Sequence, residues 1–166
     1  MSTWATVTLL LATLLVGLVA GVFGCYAVSV MPGLAKTSDE TFVDAMRRIN
    51  VEILNPWFLA TFFGAGALSA AALVLHLRGN PVSDAARAET GWLIAALVLI
   101  LLSLGITLVV NVPLTGALGV TGRTDPSGAR AAFESRWVAF NIARTVTAAA
   151  SFGCLAWALR LSGAAS

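Results

Sequence analysis

The sequence predicts an all-α integral membrane protein, a four-helix bundle with a short amphipathic helix between its first and second spans. Three observations carry this. Of the 166 residues, 58% are hydrophobic and 11% charged, with a mean hydropathy of +0.90, whereas a soluble domain carries about a quarter charged residues. Four stretches reach or exceed the roughly 20 apolar residues that cross a bilayer core of about 30 Å. Between the first two, apolar residues recur at helical spacing with polar residues off the stripe. The length suits a single domain, residues 1–166.

The first span, about residues 4–31, runs from Trp4 to Met31 without a charge. It reads as a retained helix, because a cleaved signal has a basic start and an apolar run of only about 7–15 residues. Val22-Phe23-Gly24-Cys25 has the outline of a lipoprotein cleavage box, but Phe23 is too bulky for it. Thr37-Ser38-Asp39-Glu40 then has the form of a capping box. Phe42, Val43, Ala45, Met46 and Ile49 follow as the apolar stripe of the short helix, which lies on the membrane or caps the bundle. Asn55-Pro56 suits a helix start, with Asn as cap and Pro at the first helical position.

The second span covers about 56–77 and the third about 91–111, joined through a turn at Gly79-Asn80-Pro81. Pro113 lacks an N–H and clashes with the preceding turn, so the third span is expected to kink or end near Asn111. Asp125-Pro126-Ser127 marks another helix start, and from Ala129 the helix runs unbroken into the fourth span, about 137–159. Four spans put both termini on one side. Lys36, Arg47, Arg48, Arg123, Arg130 and Arg136 lie in the first and third connections, which places those connections in the cytoplasm of a cell-membrane protein.

Antiparallel threading assigns every residue a depth. The end of span one, the start of two, the end of three and the start of four share one face. That face gathers Tyr26, Arg47, Asn50, Glu52 and Asn55 with Thr107, Asn111 and Thr115. It also gathers Trp137, Asn141 and Arg144, an i, i+4, i+7 set on one helix side. Ser103, Thr107, Asn111 and Thr115 step by four along span three. Arg144 sits about 10 Å inside Trp137 at 1.5 Å per residue, where an arginine costs about 2.5–3.5 kcal/mol. It either snorkels or pairs with Asn111 or Glu52 to hold helices, or it lines a ligand pocket.

The same threading excludes other chemistry. His76, the only histidine, lies near the opposite face. Cys25 and Cys154 lie at different depths, so no disulfide joins them. No Cys/His group has metal or haem spacing, and no phosphate loop or Ser–His pair can be assembled. The net charge of +2, without a basic run, gives no case for nucleic acid. An oligomer is compatible with the sequence.

Met46-Arg47-Arg48-Ile49-Asn50, Ile53-Leu54-Asn55-Pro56-Trp57-Phe58 and Phe62-Phe63-Gly64 resemble the loop-to-second-helix signature of the anthrone-oxygenase-like family of small four-span membrane proteins. Asn111-Val112-Pro113-Leu114 resembles its third-helix motif, and Trp137, Phe140-Asn141 and Arg144 resemble its Trp-x-x-aromatic-Asn-x-x-Arg motif. Thr115 stands where the family often has Asn. The resemblance implies oxidation of an apolar aromatic substrate, an anthrone, to an anthraquinone by O2 without a conventional redox cofactor. On that footing Arg144, Asn141 and Asn111 are the expected donors to a developing oxyanion and Glu52 the expected base, with Asp44 and Glu134 behind it. Trp137 would stack on the substrate, and Asn50, Asn55, Arg47, Thr115 and Tyr26 would complete the binding site. Two other readings stay open: a carrier or binder of a lipid or quinone, and a structural protein whose polar cluster fixes helix packing.

Overall fold

The structure, a computed structural model, describes residues 3–79 and 83–164; among these every regular element is helical. The expected turn at Asn80-Pro81 lies outside the described residues. Four helices are long and apolar enough to cross a membrane: Thr3–Leu34, Pro56–Arg78, Ala86–Thr121 and Pro126–Gly163. The chain is a multi-pass membrane protein. The short helix Asp39–Glu52 stands between the first two spans.

Each helix start has a local cause. The Asn55 side chain accepts from the Phe58 N–H at 3.0 Å, with Pro56 following as the first helical residue. The Asp125 carboxylate accepts from the Gly128 N–H at 2.9 Å, and the helix then runs unbroken through the fourth span. At the short helix the cap falls one residue later than the capping box implies. Ser38 Oγ accepts from the Thr41 N–H at 3.3 Å, because the Thr37 hydroxyl is already donating to Leu34 O at 2.8 Å.

The third span does not end at Asn111. It continues ten residues further, from Val112 to Thr121, after a five-residue π-helical turn, Thr107–Asn111. An α-helical Pro113 would drive its ring into the carbonyl four residues back, and the widened turn before it relieves that contact. The first span does the same: a π turn at Tyr26–Val30 precedes Met31-Pro32, and the helix carries on to Leu34.

The spans form a closed ring in chain order, the first packing on the second and fourth and the third on the second and fourth. Outward positions such as Leu14, Leu18, Val98, Leu101 and Val146 are exposed and apolar, as lipid-facing positions must be. Inside, Leu9, Val16, Val19, Ile100 and Leu155 build one core. A second core lies under the short helix, where Phe42, Val43 and Met46 meet Leu118, Phe133 and Trp137. Arg130 fastens this cap. Its guanidinium bonds Asp39 at 3.0 Å, Glu134 at 2.7 Å and the carbonyls of Ala35 and Thr37, and lies over the Phe42 ring.

Candidate functional site

The seam between the two cores is where the polar side chains converge, and the two π turns shape it. In each, an N–H reaches five residues back, Met31 to Tyr26 and Val112 to Thr107. A residue stepping by four drifts about 40° around an α-helix at each step. The wide turn in the third span reverses that drift, so Ser103, Thr107 and Asn111 keep facing the fourth span. Ser103 bonds the Arg144 carbonyl at 2.9 Å, and Asn111 Nδ2 donates to the Trp137 carbonyl at 3.3 Å. Turns of this kind recur at functional sites.

Arg144 is the centre. Its side chain is buried, 6% exposed. Nε and Nη2 donate to Asn141 Oδ1 at 3.1 and 2.9 Å, and Nη1 donates to Thr107 Oγ1 at 3.3 Å. The guanidinium carbon lies 4.0 Å from the Phe23 ring centroid and 5.1 Å from that of Trp137. No carboxylate among the described residues is within ion-pair distance of it. Of a guanidinium's five N–H donors, these bonds occupy three, and the other two have no acceptor among the described residues. Of the alternatives the sequence left open, pairing with Asn111 or Glu52 is not found; the partners are Asn141 and Thr107.

Of the three buried side-chain polar atoms without a hydrogen-bond partner among the described residues, two lie here, Asn111 Oδ1 and Trp137 Nε1, and the third is Glu89 Oε1 at the opposite face. An orphaned buried polar atom costs about 1–3 kcal/mol, and here an acceptor and a donor stand beside a cation that has no carboxylate partner among the described residues. Asn111, Trp137 and Arg144 line a cavity of about 130 Å³. Tyr26, Thr107, Thr115 and Asn50 add polar lining, and Phe23, Ile53, Leu54, Phe58 and Val112 the apolar walls. The Tyr26 ring lies 5.5 Å from that of Trp137, which stacks on Phe133 at 5.9 Å.

The structure thus brings Tyr26, Asn50, Asn111, Thr115, Trp137 and Arg144 to one pocket. Asn141 stands behind it, fully buried, its Oδ1 on Arg144 and its Nδ2 on the Phe23 carbonyl at 3.2 Å. It positions the guanidinium and does not line the cavity. Asn55 is occupied as a helix cap, its Nδ2 also donating to the Glu52 carbonyl. Arg47 and Glu52 lie in a separate outer groove of about 710 Å³, with Asp44, Arg48 and Arg123. Glu52 falls off the inward stripe of Phe42, Met46, Asn50 and Ile53, and its side chain is exposed. Asp44 is paired with Arg48 at 2.9 Å and Glu134 with Arg130, so no carboxylate lines the inner pocket.

Sequence reasoning left three things out. Thr107 was on the polar stripe but outside the expected site. The paired wide turns had a signal, an X-Pro dipeptide at matched depth in two apolar spans (Met31-Pro32 and Val112-Pro113). At the opposite face, His76 is not a lone interfacial side chain: Nε2 bonds Thr90 Oγ1 at 2.9 Å, and Nδ1 lies 3.4 Å from the buried Glu89 carboxylate. The two cysteines are free.

A family model described as anthrone oxygenase matches residues 57–154, more than half of the chain. The chain belongs to the anthrone oxygenase family. The matched region supplies Phe58, Thr107, Asn111, Thr115, Trp137 and Arg144 to the pocket, while Phe23, Tyr26 and Asn50 come from outside it. No curated protein and no solved structure matches.

Proposed function

We propose that this member of the anthrone oxygenase family is a membrane monooxygenase that oxidises a flat, ionisable polycycle of anthrone type with O2, using no resident redox cofactor. One observation supports it above the rest: a buried guanidinium with no carboxylate partner stands in an apolar, aromatic-lined pocket. Such a cation, worth more in a dry cavity than in water, calls for an anion that arrives with the ligand.

The chemistry follows from that anion. An anthrone's methylene gives up a proton because the resulting charge spreads onto the carbonyl oxygen. The unused Arg144 donors and Trp137 Nε1 stabilise that oxyanion, and Asn141 holds the guanidinium in place. The electron-rich anion passes one electron to O2, and the resulting superoxide and carbon radical combine at the former methylene carbon. The hydroperoxide formed, once protonated, loses its remaining C–H proton as the O–O bond breaks. The substrate has then lost two hydrogens and gained one oxygen, and the second oxygen leaves as water. The first proton departs past Asn50 and Thr115, which line both the pocket and the outer groove, and Glu52 and water in the groove receive it. By the positive-inside rule that groove opens to the cytoplasmic side of the cell membrane.

Purified protein given an anthrone under air should form anthraquinone faster than boiled protein, with one O2 consumed per product, and Arg144→Ala should remove the excess. No excess rate at any pH would sink this reading. A second reading, a carrier or binder of a quinone or lipid, is favoured by the lack of a carboxylate lining the inner pocket. A quinone that co-purifies with a protein unable to turn over anthrone would establish it.

A further inference from the structure

The inner pocket is small for a three-ring substrate. Its volume, about 130 Å³, is close to that of a cavity which takes a single benzene, about 150 Å³. A polycycle therefore enters with one ring, and the remainder must lie elsewhere. The pocket adjoins the outer groove, the two sharing four lining residues, Asn50, Leu54, Val112 and Thr115. That groove offers about 710 Å³, and a Cβ added at Gly116 or Gly119 on its wall would meet nothing within 4 Å.

The groove's charge is not balanced by its own residues. Arg48 is committed to Asp44 at 2.9 Å. Arg47 and Arg123 line the same groove, and neither forms an ion pair with a described residue. Glu52, the remaining carboxylate there, faces two cations. A ligand reaching out of the inner pocket thus ends beside unpaired guanidinium groups, which favour a carboxylate in bidentate geometry.

The geometry points to an elongated, amphipathic substrate: one aromatic ring in the inner pocket, and a carboxylate at its far end held by Arg47 and Arg123. This assignment rests on reading the inner pocket as the seat of the aromatic ring, and it names the class of molecule preferred there. Arg47 and Arg123 are then specificity residues that touch the substrate away from the reacting carbon.

The test is binding without turnover. In phosphatidylcholine nanodiscs under argon, Kd is measured for anthraquinone-2-carboxylate and for anthraquinone, corrected for partition into empty nanodiscs. The wild type should favour the carboxylate by at least about tenfold, the factor matching 1.4 kcal/mol of charge-assisted contact. Arg47→Ala/Arg123→Ala should bring the ratio of the two Kd values to about one, and Arg47→Glu should invert it, whereas Arg78→Ala at the other face should leave it unchanged. Equal wild-type Kd values, or a ratio untouched by the double substitution, would overturn the assignment. So would a preference that disappears when phosphatidylglycerol replaces phosphatidylcholine, since the arginines would then belong to lipid headgroups. A protein that shows the preference yet oxidises no anthrone would instead sink the oxygenase reading and leave this one standing.

Discussion

Replacing Arg144 by Met separates a site cation from a structural one, because the two roles predict opposite balances. Burying the guanidinium costs about 2.5–3.5 kcal/mol, and no carboxylate offsets it. Met removes that cost and keeps the apolar stem. Against this, Asn141 Oδ1 loses both donors, which costs about 1–3 kcal/mol. The contacts over Phe23 and Trp137 contribute about 0.5–2 kcal/mol each. The terms nearly cancel. At about 2–4 °C per kcal/mol for a chain of this size, Tm in detergent should move by no more than about 5 °C. Oxidation of anthrone should fall far more, because deleting a donor to a developing oxyanion costs about 10²–10³ in kcat. Differential scanning fluorimetry and initial rates of quinone formation, taken on the same sample, supply both numbers. A Tm drop beyond about 10 °C with wild-type turnover per folded molecule would refute the reasoning and assign Arg144 to helix packing.

Three further outcomes follow from the same geometry. Asn141→Asp keeps both bonds to Arg144 but gives the cation an internal counter-ion, so the Kd for an anionic ligand should rise about a hundredfold, the scale of a buried charge pair. Trp137→Phe removes a donor that has no partner among the described residues, so thermal stability should barely change while kcat/KM for anthrone falls about tenfold, the value of one hydrogen bond. His76→Ala removes the imidazole that lies 3.4 Å from the buried Glu89 carboxylate and bonds Thr90 and should cost about 1–3 kcal/mol, read as a lowered Tm, with kcat per folded molecule unaffected because the pair lies at the opposite end of the bundle.

Fold and depth were legible because they rest on composition and period. An apolar run long enough to cross a bilayer has few alternatives, and antiparallel threading then ties residue number to height. That is how Arg144, Asn111 and Trp137 came to one half of the membrane while His76 and Cys154 were removed from it. Direction around a helix was less legible. Glu52 and Asn50 are two residues apart at nearly the same height, yet Asn50 lines the inner pocket and Glu52 only the outer groove. Asn141 shows a different limit: its height was right, but only coordinates reveal that both ends of its amide are occupied. The sequence places a kink or an end near Asn111, and the helix carries on past Pro113 because the wider turn that ends two residues before it absorbs the proline's clash. Glu89 was missed because a carboxylate so near a predicted helix start reads as solvated.

The two faces of the bundle handle buried polar groups in opposite ways, and the contrast bears on function more directly than either site alone. At one end, His76 bonds Thr90 and lies 3.4 Å from the Glu89 carboxylate, whose Oε1 has no hydrogen-bond partner among the described residues, so an acidic and a basic side chain are neighbours across two spans. At the other, a guanidinium, an amide oxygen and an indole N–H are drawn to one cavity without an acid among them. Lipid offers no water to satisfy stray groups, so each of the latter carries its full cost. A scaffold needing only to clasp helices would resemble the first arrangement: Asn141→Asp would supply the missing acid by a single replacement. The pocket end instead holds its cation in place with a neutral amide, which fixes the guanidinium's position and leaves its charge uncompensated. Asn at 141 also donates to the Phe23 carbonyl, which Asp could not, so on the proposed function the amide serves both the helix contact and a cation left open to an arriving anion.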